Sequence, residues 1–280
     1  MMSNVYFLMN MTNTDHSAND VWHFDDHLPK VALVTGGAKR IGRELCLALA
    51  RAGFDVAVHY GRSGDEAVQL VQELLKCKVR ACAVQADLSD ANAVAGLMSQ
   101  VTQQLGAVGV LINNASVFEY DVLTQPAPLD LALFEQHWRT NTFAPMVLSQ
   151  QLCQQLPSDA QGVIINLLDQ KLYNPNPDFL SYTLSKSALK EATILSAQAF
   201  APRVRVVGIA LGLSLPSGTQ SIETFNQVHQ QTILQRGSTP RDVAQAMLFA
   251  MAARSMTGTV LQVDGGQHLT PSARDVMFKH

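Results

Sequence analysis

Short apolar runs alternate with longer amphipathic stretches from Val31 to Val263. Val31-Ala32-Leu33-Val34 is continuously apolar, as in a strand buried on both faces of a parallel sheet. Thr35-Gly36-Gly37-Ala38-Lys39-Arg40-Ile41-Gly42 follows at once, and then a helical pattern through Leu45, Leu47, Ala48 and Leu49. Further strands are predicted over residues 55–60, 79–84, 108–112, 163–168, 205–210 and 260–263. Helical patterns cover 91–104, 134–156, a stretch beginning near Tyr182, and one opened by Thr239-Pro240-Arg241-Asp242. Strand alternating with helix predicts an α/β fold, a single doubly wound parallel sheet with helices on both faces.

The flanks break this rhythm. Residues 1–28 are polar, with neither a basic start nor a long apolar core, and read as a flexible extension. His16, His23 and His27 stand there among Asp15, Asp20, Asp25 and Asp26, a cluster read as solvated rather than as a metal site. Residues 29–270 form the expected domain and 271–280 a tail. Over 280 residues the chain is 47% hydrophobic and 15% charged, which suits one large core. A net charge of −3 gives no reason to expect nucleic acid or an anionic membrane as partner. Cys46, Cys77, Cys82 and Cys153 are scattered without zinc-like spacing, and no run holds 18 uninterrupted apolar residues, so a cytoplasmic enzyme is expected.

Four stretches carry candidate chemistry. The glycine-rich turn between a strand and a helix lets backbone approach a pyrophosphate, and the helix N-terminus offers N–H donors. At the end of the second strand, where a site for NAD places an acidic residue, this chain has Gly61-Arg62-Ser63. A carboxylate would repel a 2′-phosphate, whereas a guanidinium and a hydroxyl bind it, and Lys39 adds a second cation; NADPH is expected over NADH. The third stretch is Asp169 to Lys186. Tyr182 and Lys186 stand four apart, on one face of a helix, so the ammonium is expected to lower the phenol pKa and make Tyr182 a proton donor. Asp169 should emerge at a strand end. The fourth strand ends in Asn113-Asn114-Ala115-Ser116, and Phe118 beyond it is either core or an aromatic face for a flat substrate.

Together these motifs resemble the short-chain dehydrogenase/reductase family over about residues 29–270. Thr35 to Gly42 is similar to its cofactor turn, Asp87 to the acid near the adenine, and Asn113-Asn114-Ala115 to its strand-four motif. Asn141 resembles its relay asparagine, Tyr182 and Lys186 its catalytic pair, and Asp264-Gly265-Gly266 its closing turn. The resemblance implies a Rossmann-type sheet and NADPH held by Gly36, Lys39, Arg40, Ile41, Gly42, Tyr60, Arg62, Ser63, Asp87, Leu88, Asn114, Ala115, Ser116, Tyr182, Lys186, Gly212 and Ser214. It also implies a homotetramer whose tail, from residue 267, reaches a neighbour.

Three positions depart from the general pattern: Arg40 replaces a glycine, Asp169 a serine and Leu211 a proline. The first two, with His59-Tyr60-x-Arg62-Ser63 and Ser116-x-Phe118, resemble pteridine reductases and dihydromonapterin reductases. That implies a small-molecule substrate, a pteridine, held by Arg40, Ser116, Phe118, Asp169 and Tyr182. A carboxylate cannot donate to a ketone oxygen, but it accepts from ring N–H and amino groups. Asp169, Tyr182, Lys186 and Asn141 are therefore the expected catalytic set for reducing a C=N bond. Two rivals stand beside this: a carbonyl reductase acting on a sugar, steroid or 3-oxoacyl compound, and a non-catalytic NADP(H)-binding sensor. Residues 213–238 are the expected lid, with Gln220, Glu223, Asn226, Gln227 and His229 on a solvated face.

Overall fold

A computed structural model describes residues 22–124, 128–216 and 221–278. His16, Ser217, Gly218 and Gln220 fall outside these residues. Seven parallel strands, β1 (Val31–Val34), β2 (Asp55–Tyr60), β3 (Ala81–Gln85), β4 (Val110–Asn113), β5 (Gly162–Asp169), β6 (Val204–Leu211) and β7 (Val260–Val263), form one sheet in the order β3-β2-β1-β4-β5-β6-β7. Successive side chains of a strand point to opposite faces. Ala32 and Val34 thus join Leu45, Leu49, Val243 and Met247 in one core layer, while Val31 and Leu33 join Leu97, Val101, Leu148 and Leu152 in the other. The helices supplying the first layer are α1 (Arg40–Arg51), α2 (Gly64–Leu75) and the last helix; those on the other face include α3 (Ala91–Leu105). The chain reverses direction of growth at β1, so the carboxyl ends of β1 and β4 flank a crevice, the usual ligand position in such sheets.

The long helix expected over 134–156 is broken into α4 (Leu131–Trp138) and α5 (Ala144–Gln155) by a π turn, Arg139–Phe143. Pro145 explains it. Proline has no N–H for the carbonyl of Asn141, and its ring clashes there, so the backbone widens by one residue. Asn141 lies in that widened turn. α6 (Leu180–Phe200) starts without a cap from its own preceding residue, since Phe179 is left-handed at φ 56°. Asp121, from the loop after β4, caps it instead: its carboxylate accepts from the Ser181 N–H at 3.0 Å. α7 (Ile222–Gln230) and α8 (Pro240–Ala252) complete the helices, α8 with the expected Pro240 in its first turn and a capping box of Thr239 and Asp242.

Residues 22–28 and 271–278 pack against the domain. Leu28 is buried, Trp22 and Phe24 pack on the core, and the Lys30 ammonium sits 4.7 Å from the Phe24 and Phe54 ring centroids. At the other end, residues 274–278 fold back over the chain's own β5 end.

Candidate active site

The glycine turn is built on three polar residues. Asn114 donates from Nδ2 to the carbonyls of Thr35 (2.8 Å) and Gly36 (3.0 Å). Thr35 Oγ1 accepts from the N–H groups of Asn114 and Ala115. His59, buried in β2, accepts the Gly36 N–H at Nδ1 (3.0 Å) and meets the Ala86 carbonyl with Nε2 (3.0 Å). A donor at Nε2 and an acceptor at Nδ1 define a neutral imidazole, and burial pushes the His59 pKa down to about 4. Gly42 has no room for a side chain, since a Cβ would lie 2.2 Å from the Gly36 carbonyl oxygen. Lys39, the N-cap of α1, makes no side-chain cap, which leaves the helix's first N–H groups free for a ligand at the crevice. The backbone therefore fits a pyrophosphate.

Around this turn the expected contacts divide. Arg62 is exposed at the end of β2 beside Ser63 and close enough to Asp87 to lower its pKa, although the hydrogen bonds Asp87 accepts from Ser89 lower it more. Lys39 is no isolated second cation: its ammonium pairs with Glu66 at 2.5 Å. Arg40 takes a left-handed backbone (φ 54°) and donates from Nη2 to the Pro216 carbonyl at 2.9 Å, tying the turn to the segment after β6. Gly212 and Ser214 lie there too. Ser214 Oγ donates to the Gly212 carbonyl and contacts Ser238 Oγ, and the Leu213 N–H donates to Gln267 Oε1. His229 is not on a solvated face, because its Nε2 meets the Leu213 carbonyl at 2.6 Å; Glu223, Asn226 and Gln227 are exposed.

The deeper part of the crevice is a cleft of about 430 Å³ lined by Arg40, Ile41, Ser116, Phe118, Asp169, Tyr182 and Lys186 among others. The Tyr182 hydroxyl donates to Asp169 Oδ2 at 2.8 Å, and the Lys171 N–H donates to Asp169 Oδ1 at 2.8 Å. Asn141 joins the strand-four loop to α6. Its Oδ1 accepts from the Val117 N–H (2.8 Å) and Ser116 Oγ (3.2 Å), and its Nδ2 donates to Ser185 Oγ (3.0 Å) and the Val117 carbonyl. Phe118 stacks on Phe179 (centroids 4.1 Å, 16°) and meets Tyr182 edge-on. It thus serves as core on one face while lining the cleft.

One electrostatic expectation is overturned. Lys186 was expected to lower the phenol pKa, but its Nζ donates to the Leu167 carbonyl at 2.8 Å. Burial, and then the adjacent Asp169 carboxylate, raise Tyr182 well above its ordinary value. Burial lowers the Lys186 pKa to about 8, against the opposing pull of Asp169, and burial raises Asp169 itself. The phenol is accordingly a neutral hydrogen-bond donor in this arrangement.

Sequence reasoning missed Gln170, Gln267, Asp275, Val276 and Met277, all of which line the cleft. Gln170 adjoins Asp169, so proximity was a usable signal. The three tail residues carried none, because their placement depends on contacts distant in sequence.

Comparison with known proteins agrees with this geometry. The family model for short chain dehydrogenase matches residues 30–227. A 3-oxoacyl-[acyl-carrier-protein] reductase FabG from Staphylococcus epidermidis is 30% identical, covering 86% of this chain and 99% of its own length. The 7alpha-hydroxysteroid dehydrogenase of Escherichia coli is 30% identical over 85% of this chain and 93% of its own. Among solved structures, FolM alternative dihydrofolate reductase 1 from Brucella canis, complexed with NADP, superposes with a TM-score of 0.80 at 39% identity, covering 86% of this chain and 94% of that one. With the strand order, the turn and the Tyr182–Lys186 helix in place, the chain belongs to the short-chain dehydrogenase/reductase family.

Proposed function

We propose that this protein is an NADPH-dependent reductase that transfers hydride to a C=N bond of a pteridine-like substrate. The observation that carries this reading is the carboxylate of Asp169 in the cleft, 2.8 Å from the Tyr182 hydroxyl. A ketone reductase gains nothing from a negative charge beside its developing alkoxide. A nitrogen heterocycle presents N–H donors that the carboxylate can accept and orient. The likeness to FolM alternative dihydrofolate reductase 1, whose named substrate contains a pteridine ring, supports the ring system and not the length of its substituent.

In this reading the Gly36, Ile41 and Gly42 backbone binds the pyrophosphate, and Tyr60, Arg62 and Ser63 hold the phosphorylated ribose. Asp87 and Leu88 face the adenine, and Asn114, Ala115, Gly212 and Ser214 complete the enclosure. Bound NADPH supplies the hydride. Lys186 holds the nicotinamide ribose and keeps positive charge near Tyr182. As hydride reaches ring carbon, the adjacent nitrogen gains an electron pair and becomes strongly basic, so a neutral phenol can protonate it despite its raised pKa. The phenolate oxygen left behind is reprotonated through Asp169, whose own raised pKa suits it to carry a proton. Asn141 orients the Ser116 loop and connects Ser185 to the site. A homotetramer belongs to this reading, and a gel-filtration mass near that of one chain would remove it.

A carbonyl reductase is the second reading, favoured by the FabG and steroid dehydrogenase relatives. Following NADPH consumption with dihydrobiopterin, dihydromonapterin and dihydrofolate against 3-oxoacyl and steroid ketones separates the two. Asp169→Ser sharpens the comparison: pterin turnover is expected to fall while ketone turnover rises. Unchanged pterin turnover would refute the role given to Asp169.

A further inference from the structure

We infer that residues 274–278 are the outer wall of this chain's own substrate cleft, anchored by the ion pair between Lys171 and Asp275, and that this wall restricts the substrate to a ring system without a long extension. The size limit rests on the pteridine reading; the wall itself does not.

The anchor is sealed. Lys171 Nζ lies 2.9 Å from Asp275 Oδ2, with the two side chains 2% and 11% exposed, and also donates to Asn176. Lys171 has Asp275 as its charged partner only while the tail is seated, so the buried pair links the ammonium's burial to the tail's position. Asp178 fixes the strand side of the tail by accepting from the Asp275 N–H (2.7 Å) and from Arg274 Nε (2.8 Å). Phe278 stacks on Phe179 (centroids 6.0 Å, 21°), which itself stacks on Phe118 in the cleft, and Tyr120 packs edge-on to both Phe179 and Phe278. Asn176 and Asp178 come from the loop after β5, and Tyr120 from the loop after β4, so two separate loops grip one short segment.

What the grip holds in place is Val276 and Met277, which line the cleft together with Asp169 and Tyr182. The cleft of about 430 Å³ must take both a nicotinamide and the ring it reduces. Behind the tail lies a smaller cavity of about 60 Å³ that shares Gln170, Gln267, Asp275 and Val276 with the cleft. The Gln170 side chain sits at this junction with Oε1 buried and unpartnered among the described residues. A ring seated against Asp169 and Tyr182 has Val276 and Met277 beside it, so a long substituent leaving the ring on that side meets the wall.

The test uses Val276→Gly and Met277→Ala in the full chain and, separately, a chain ending at Arg274. Acrylamide quenching of the fluorescence of bound NADPH reads wall closure without any substrate. The ratio of kcat/KM for dihydrofolate to that for dihydrobiopterin reads the size limit. Quenching is expected to rise severalfold in the variants, with NADPH affinity unchanged and the ratio up about tenfold. Quenching equal to wild type in all three variants overturns the wall. Raised quenching with an unchanged ratio overturns the size limit. Raised quenching in a protein whose wild-type form reduces no pterin upholds the wall and removes the pteridine reading instead.

Discussion

Tyr182 donates its hydroxyl hydrogen bond to Asp169 at 2.8 Å, away from Lys186, whose ammonium is taken by the Leu167 carbonyl. The phenol is therefore held neutral and aimed at a carboxylate, the reverse of a phenolate stabilised by a cation. Tyr182→Phe keeps the packing against Phe118 and removes only the oxygen. It is expected to lower kcat by about a hundred- to ten-thousandfold while NADPH affinity stays near wild type. Single-turnover NADPH oxidation beside a fluorescence titration separates these. A kcat within a few-fold of wild type would exclude the phenol as proton donor.

In the proposed mechanism Lys186 is expected to set the alkaline side of the pH profile. Burial lowers its pKa to about 8, so its charge is lost as pH rises through that value, and kcat/KM is expected to decline above it. Asp169 opposes the shift, so Asp169→Asn should move the decline toward neutrality. The stability effect has the opposite sense. Between about 8 and the ordinary 10.5 the unfolded chain binds a proton that the folded chain does not, so this group's contribution rises with pH across that window. A pH–rate profile that is flat to pH 9.5 for wild type would rule out a required charge on Lys186.

How far the sequence carried these conclusions depends on the range of the interaction involved. β1, the glycine turn and α1 were legible because an apolar run, a tight turn and a helical pattern are all local, and Tyr182 with Lys186 because a four-residue spacing is. The spacing named a shared helix face, but it could not say that Nζ would find the Leu167 carbonyl at the end of β5. Pro145 within a helical pattern was a readable warning of the break at Asn141 that the 134–156 reading passed over. His59, a polar side chain in an otherwise apolar strand, was a similar signal. The tail was not legible at all: Lys171 and Asp275 are 104 residues apart, and no periodicity encodes that pairing.

His59 ties the cofactor turn to protonation state. Its pKa falls from 6.5 to about 4 on burial, so the unfolded chain binds the extra proton between those values and stability is lost as pH drops through them. The full shift corresponds to about 3 kcal/mol once pH is below 4. NADPH binding should weaken only as pH falls through about 4, where the folded protein itself takes up the proton, because an imidazolium cannot accept the Gly36 N–H. His59→Phe keeps an aromatic ring there but strands both the Gly36 N–H and the Ala86 carbonyl, a loss of about 2–4 kcal/mol. Urea denaturation at pH 7 and about pH 4.5, and NADPH titration at pH 7 and about pH 4, are the measurements. Wild-type behaviour of His59→Phe in both would show that the imidazole does not hold the turn.

In the proposed reading Arg62 is the group expected to select the 2′-phosphate, since Lys39 is already engaged by Glu66 at 2.5 Å. A charge-assisted hydrogen bond to phosphate contributes about 1.5–3 kcal/mol, so losing it weakens NADPH by about ten- to a hundredfold. Arg62→Glu goes further, because a carboxylate repels the 2′-phosphate yet accepts from the ribose hydroxyls of NADH. The preference for NADPH over NADH is expected to collapse or invert. Glu66→Ala should act in the opposite direction: both side chains of its pair are about half exposed, so breaking it costs little, and the freed Lys39 ammonium can turn to the phosphate and tighten NADPH. Dissociation constants for both cofactors against both variants check the pair of expectations together. An NADPH-to-NADH ratio in Arg62→Glu equal to that of wild type would place phosphate recognition elsewhere on the turn.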